Sequence, residues 1–155
     1  MKNNKEVKIK VKKYVILSGV VLFAVSTVFA SDRYSELLKE GTEAVNAGES
    51  QKAETVFSGL IENDPARPEA YFAMAVMYIS KGDPKTAKKY LIESLEKESG
   101  YAQSYYLLGR VSEKLQEYDD AMRYYLKYIE LEPDSPRNDK IRKRIDFLRE
   151  RKETL

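Results

Sequence analysis

The 155-residue sequence contains no cysteine, no histidine and no tryptophan, and only seven glycines and five prolines. Without cysteine there is no disulfide framework, no thiol nucleophile and no cysteine to acylate. Without histidine there is no Ser/His triad and no imidazole-bound haem, and the loss of both residue types removes the usual structural zinc sites. The scattered glycines form neither a GxGxxG fingerprint nor a GxxxxGK loop, so no backbone cradle for phosphate is present. Any chemistry falls to carboxylates, lysine, tyrosine or serine. Asp119, Asp120, Glu93, Glu96 and Glu98 sit in helical patterns without the loop spacing of a calcium site. No two acids stand out as a hydrolytic pair. No cofactor, no metal and no catalytic residue are therefore expected.

A dominant charge of one sign is also missing, with 27 Lys+Arg against 25 Asp+Glu, a formal net of +2 and a pI near 8.5. That balance is an average over unlike segments. Residues 1–13 hold six lysines and one glutamate, and Tyr14 to Ala30 is a run of seventeen uncharged residues ending Val28-Phe29-Ala30 before Ser31-Asp32. A basic start, an apolar run and small residues at a boundary describe an export signal cut between Ala30 and Ser31. An uncut membrane anchor stays open beside it, because seventeen residues stand at the lower limit for crossing about 30 Å of hydrocarbon. Both readings place the remainder in the periplasm or on the extracytoplasmic face. Beyond the leader, residues 31–135 carry 13 basic and 20 acidic side chains, a net of −7, and residues 136–155 carry 8 and 4, a net of +4. The acidic body and the export signal both argue against a nucleic-acid partner.

One period organises the chain beyond the leader. Pro65, Ser99 and Pro133 are 34 residues apart, as are Gly41, Ala75 and Gly109; Ala53, Ala87 and Ala121; and Phe57, Leu91 and Tyr125. Leu37, Tyr71 and Tyr105 continue the pattern, as do Gly48 and Gly82, with Gln116 in the third copy. The glycine and alanine columns let paired helices approach closely, and the Phe57, Leu91 and Tyr125 column fills the space toward the next repeat. Gly48 and Gly82 suit a left-handed C-cap, and Asp83-Pro84 suits an N-cap followed by proline at the first helical position. Pro65 and Pro133 stop the second helices, and Ser99-Gly100 substitutes a glycine stop. The spacing predicts helices near 32–47, 50–63, 67–81, 84–98, 101–115 and 118–131, with a seventh over about 136–151. That last helix opens at Ser135-Pro136 and places Ile141, Ile145 and Leu148 on one stripe, as a cap for the array requires.

These columns resemble the tetratricopeptide repeat family from Tyr34 to about Asp134, most clearly in the third copy with Tyr105, Leu108-Gly109, Ala121, Tyr125 and Pro133. The resemblance implies an all-α helix-turn-helix solenoid of three repeats, about 34–67, 68–101 and 102–135, within a body of 31–134. A leader of 1–30 precedes it, and a basic capping helix and tail over 135–155 close it. It also implies a concave groove lined by the first helix of each repeat: Leu38, Thr42 and Val45, then Phe72, Val76 and Ile79, then Tyr106 and Arg110. The places where some family members clamp a terminal carboxylate hold Leu38, Thr42, Val76 and Gln103, so that clamp is missing. Such a groove suits a peptide or helix of a protein partner.

Tyrosines crowd the third repeat and read mainly as packing between helices. The basic run Arg142-Lys143-Arg144 reads as a solvated helix, with contact to the acidic body or a partner as the alternative; interleaved acids argue against lipid or nucleic acid. The expected role is a non-enzymatic, exported interaction scaffold. Its rival is an assembly subunit tethered to the membrane by a retained N-terminal helix.

Overall fold

The computed structural model describes residues 32–153, so the leader and the Ala30–Ser31 boundary lie outside the described residues. The chain divides into two compact units, Met1–Leu37 and Leu38–Leu155. Of the first, only a stretch of helix from residue 32 is described; both hydrophobic core clusters described below belong to the second.

Seven helices and no strand occur among the described residues: α1 over 32–46, α2 Ser50–Asn63, α3 Pro68–Ser80, α4 Pro84–Lys97, α5 Ala102–Lys114, α6 Tyr118–Leu131 and α7 Asn138–Glu153. None is long and apolar enough to cross a membrane. The helices form three helix-turn-helix pairs and then a closing helix, the all-α solenoid that the period predicts.

The turn inside each pair is built three times in the same way. At α1 the Gly48 N–H bonds to the Val45 carbonyl at 3.0 Å and the Glu49 N–H to the Ala44 carbonyl at 2.9 Å. Gly82 and Asp83 repeat these bonds on Ile79 and Tyr78, and Gln116 and Glu117 repeat them on Glu113 and Ser112. This paired closure needs a left-handed residue at its apex. Gly48 and Gly82 supply it at φ +77°, where a missing Cβ removes the steric penalty. Gln116 adopts φ +64° with a side chain present, a position that disfavours L-residues by about 1–2 kcal/mol.

The second helices end within one residue of where the spacing puts them, but the second repeat does so without a left-handed glycine. Asp64, Glu98 and Glu132, 34 residues apart, all leave the helical region, at φ −143°, −142° and −125°, and each N–H still bonds back to Leu60, Ser94 or Tyr128. The second repeat therefore stops as the others do although Ser99 replaces proline, and Gly100 does not take a left-handed conformation. Tyr71 and Tyr105 donate across these corners to the carbonyls of Pro65 and Ser99, each at 3.2 Å. At α4, Asp83 accepts from the Thr86 N–H at 3.0 Å and from its hydroxyl at 2.6 Å, completing the N-cap. The closing helix begins two residues later than Ser135-Pro136 suggests. Buried Asn138 donates to the carbonyls of Glu132 and Pro133 at 2.7 and 2.8 Å, pinning the corner, and the helix starts there.

Small residues set how closely each pair packs. Ala53, Ala75, Ala87 and Ala121 are wholly inaccessible. A Cβ placed on Gly41 would lie 2.8 Å from Phe57 Cζ, and one on Gly109 would lie 2.5 Å from Tyr125 Cδ1. The two rings lie flat against the glycines of their own repeat, so this column packs within the repeat as well as outward. Leu91 joins Ala75, Ala87, Leu107, Leu108 and Val111 in a core linking α3, α4 and α5. Tyr125 and Tyr128 share a second core with Ile141, Ile145 and Leu148 of α7. Burying each of those three aliphatic side chains contributes about 2 kcal/mol, which holds the closing helix in place.

Polar ties join successive layers. The buried Ser94 and Ser104 hydroxyls meet at 2.7 Å between α4 and α5. Lys88 donates to Glu117 and Asp120, linking the second repeat to the third. Lys152 reaches Asp119 at 2.6 Å and Arg144 Nε reaches Glu113 at 2.7 Å, so two cations of the tail do contact the acidic body.

Candidate functional site

The first helices α1, α3 and α5 each turn one side toward their paired second helix and leave another side open. The eight positions expected to line a groove fall on the open side: Thr42, Val76 and Arg110 are exposed, and Leu38, Val45, Phe72, Ile79 and Tyr106 are half-buried. Val76 is 36% exposed although it lies one residue after fully buried Ala75 and one before fully buried Met77. Neighbouring side chains hold the larger rings. Phe72 meets Tyr101 edge-on with centroids 5.7 Å apart, and Tyr106 rests on Tyr125 and Tyr128 at 6.1 and 5.4 Å. Thr42 differs from the rest, because its hydroxyl donates to the Leu38 carbonyl at 2.7 Å and is spent within its own helix.

The strip changes character toward α7. Beyond Tyr106 a concavity of about 1050 Å³ opens between α5 and α7, lined by Arg110, Glu113, Lys114, Tyr125, Arg137, Lys140, Ile141, Lys143, Arg144 and Phe147 among others. At its floor Glu113 accepts from the Tyr125 hydroxyl at 2.6 Å and from Arg144. Burial, reinforced by that bond to a carboxylate, pushes the Tyr125 phenol far above its usual range, so it stays a neutral donor. Arg144 is held charged chiefly by its bond to Glu113. Sequence reasoning placed Arg110 in the groove, read Lys143 on a solvated helix with contact to the body or a partner as the alternative, and did not single out Arg137 or Lys140. Their separation of 27 or more residues from Arg110 hid the shared concavity.

Among the described residues no group of three or more acids could hold a metal ion. Glu113, the carboxylate at the floor of the concavity, is engaged by a phenol and a guanidinium. What the open side of α1, α3 and α5 offers is apolar area and, toward α7, positive charge.

Residues 46–128 match the family model described as anaphase-promoting complex, cyclosome, subunit 3, more than half of the chain. The chain belongs to that family. Its fold is of the tetratricopeptide type seen in solved structures that it resembles. The first such domain of human RPAP3 is 20% identical, with a TM-score of 0.71 over 78% of this chain and 95% of that one. The Yersinia enterocolitica type III secretion translocator chaperone SycD is 14% identical, with a TM-score of 0.71 over 79% and 88%. SycD in complex with a peptide of the translocator YopD gives a TM-score of 0.65 at 14% identity, over 76% and 89%. At these identities the likeness concerns the fold. No curated protein matches the sequence.

Proposed function

We propose that this family member is a non-enzymatic interaction module that holds a peptide or helix of a partner protein along α1, α3 and α5. The observation that carries the reading is the partly exposed strip of Leu38, Val45, Phe72, Val76, Ile79 and Tyr106, left uncovered by any described segment. Helical grooves with apolar side chains at this spacing accept extended or helical segments. SycD, whose fold this chain shares, is described in complex with a partner peptide. Replacing Val76 with Glu puts a charge on the strip without touching the core. The variant should lose the proteins that the wild-type chain captures while its far-UV circular dichroism stays unchanged; capture at the wild-type level would sink the groove.

The chain is further proposed to act outside the cytoplasm, at the cell envelope, on the strength of residues 1–31. The mass of the native protein separates the two forms of that proposal. A chain starting at Ser31 means an export signal is removed, and a chain starting at Met1 means a membrane-tethered assembly subunit.

A further inference from the structure

We infer that the concavity between α5 and α7 is an acidic-residue subsite, and that the groove's partner is a peptide whose apolar stretch is followed by Asp or Glu side chains. This rests on the peptide-binding reading and adds to it a charge requirement and a direction. Six cations face the concavity, Arg110, Lys114, Arg137, Lys140, Lys143 and Arg144, against the one acid Glu113. Glu113 and Arg144 neutralise each other. Arg110, Lys114, Arg137, Lys140 and Lys143 make no ion pair among the described residues, and Arg137 instead lies over the Tyr106 ring at 5.6 Å. The outer side of α7 behaves differently: Arg149 pairs with Asp146 at 3.1 Å and Lys152 with Asp119 at 2.6 Å.

Like charges gathered in one concave place repel one another, and an incoming anion relieves that repulsion. Tyr106, the last residue of the apolar strip, also lines this concavity beside Arg110, so one chain passing along the strip arrives here. Carboxylates suit the site because Arg110 and Arg137 can each bind one through two parallel N–H donors. A peptide is favoured over a membrane or nucleic acid for two reasons. The charges line a hollow between two helices, where a flat bilayer meets only the rim. The rest of the body, residues 31–135, is −7 and repels extended polyanions.

The test uses the full chain and a fluorescent synthetic peptide, Leu-Phe-Ser-Leu followed by four Glu, with a counterpart ending in four Gln. The acidic peptide is expected to bind about tenfold more tightly, and the advantage to shrink several-fold between low and physiological salt as the charges are screened. Lys140→Glu with Lys143→Glu should erase the advantage while leaving the Gln peptide and the circular dichroism unchanged; Val76→Glu should weaken both peptides. Equal binding of the two peptides to the wild-type chain, or an advantage that survives the double charge reversal, overturns the subsite. If Val76→Glu still weakens both in that case, the groove stands without it. If Val76→Glu changes neither, the groove reading itself fails. Displacement of the acidic peptide by phosphatidylglycerol vesicles or a DNA duplex at equal charge concentration overturns the choice of a peptide.

Discussion

The second repeat and the third solve the same packing problem with different pairs of side chains. In the third, a glycine at position 109 lies under the Tyr125 ring; in the second, an alanine at position 75 faces Leu91. The first repeat sides with the third through Gly41 and Phe57. Each column therefore tolerates substitution only with its partner column, because the combined volume is what the space between helices fixes. A ring demands glycine, and a branched aliphatic chain admits alanine.

The comparison can be broken most severely at Leu91. Leu91→Ala leaves a void between α3, α4 and α5 and should cost about 3 kcal/mol in urea unfolding, since the residue is fully buried. Gly109→Ala comes next. The added methyl gains helix propensity but collides with Tyr125, for a net loss of about 2 kcal/mol. Adding Tyr125→Leu recreates the second repeat's pairing, so the double variant should be more stable than the sum of its parts by about 1 kcal/mol; additivity would show that the columns are independent. The left-handed turns sharpen the comparison at a smaller scale. Gly82→Ala should cost about 1 kcal/mol, whereas Gln116→Gly should raise stability by about 0.5 kcal/mol by relieving φ +64°. The smallest effect concerns pH. Its bonds from Thr86, side chain first, hold the Asp83 carboxyl below the usual range. Stability from this cap is present above the unfolded carboxylate value and disappears as pH falls through the folded one. Asp83→Asn, which keeps an acceptor without a titrating group, should show a smaller drop in melting temperature between pH 5 and about pH 2 than the wild type.

Much of the fold was legible because the repeat places the same residue types at the same corners. The ends of α2 and α6 fall where the spacing puts them, and those of the other helices within about two residues. The errors have local causes. Pro136 suggested a helix start, but Asn138 binds two carbonyls of the preceding corner and moves the start to itself. Ser99-Gly100 suggested a glycine stop, but Gly100 is not left-handed and the cap N–H bonds back four residues in all three repeats. For Gln116 the only sign of a positive φ was its place in the column of Gly48 and Gly82, since nothing in a glutamine itself announces it. The positions proposed to line the groove came from a family position set, and all eight are exposed or half-buried. The basic end was not legible, because Arg110 and Lys143 meet only when α7 folds back beside α5.

The extensive packing runs between helices that are neighbours in the chain, from α2 with α3 through to α6 with α7. A stack joined in this way relies on contacts close in sequence, so it should fold quickly and lose structure first from its ends. A segment lying over α3, α5 and α7 touches alternate layers instead of adjacent ones. Occupancy would then act as a brace along the stack, felt most where the array ends: amide exchange in α7 should slow more than in α4, although α4 lies off the groove and deeper in the array.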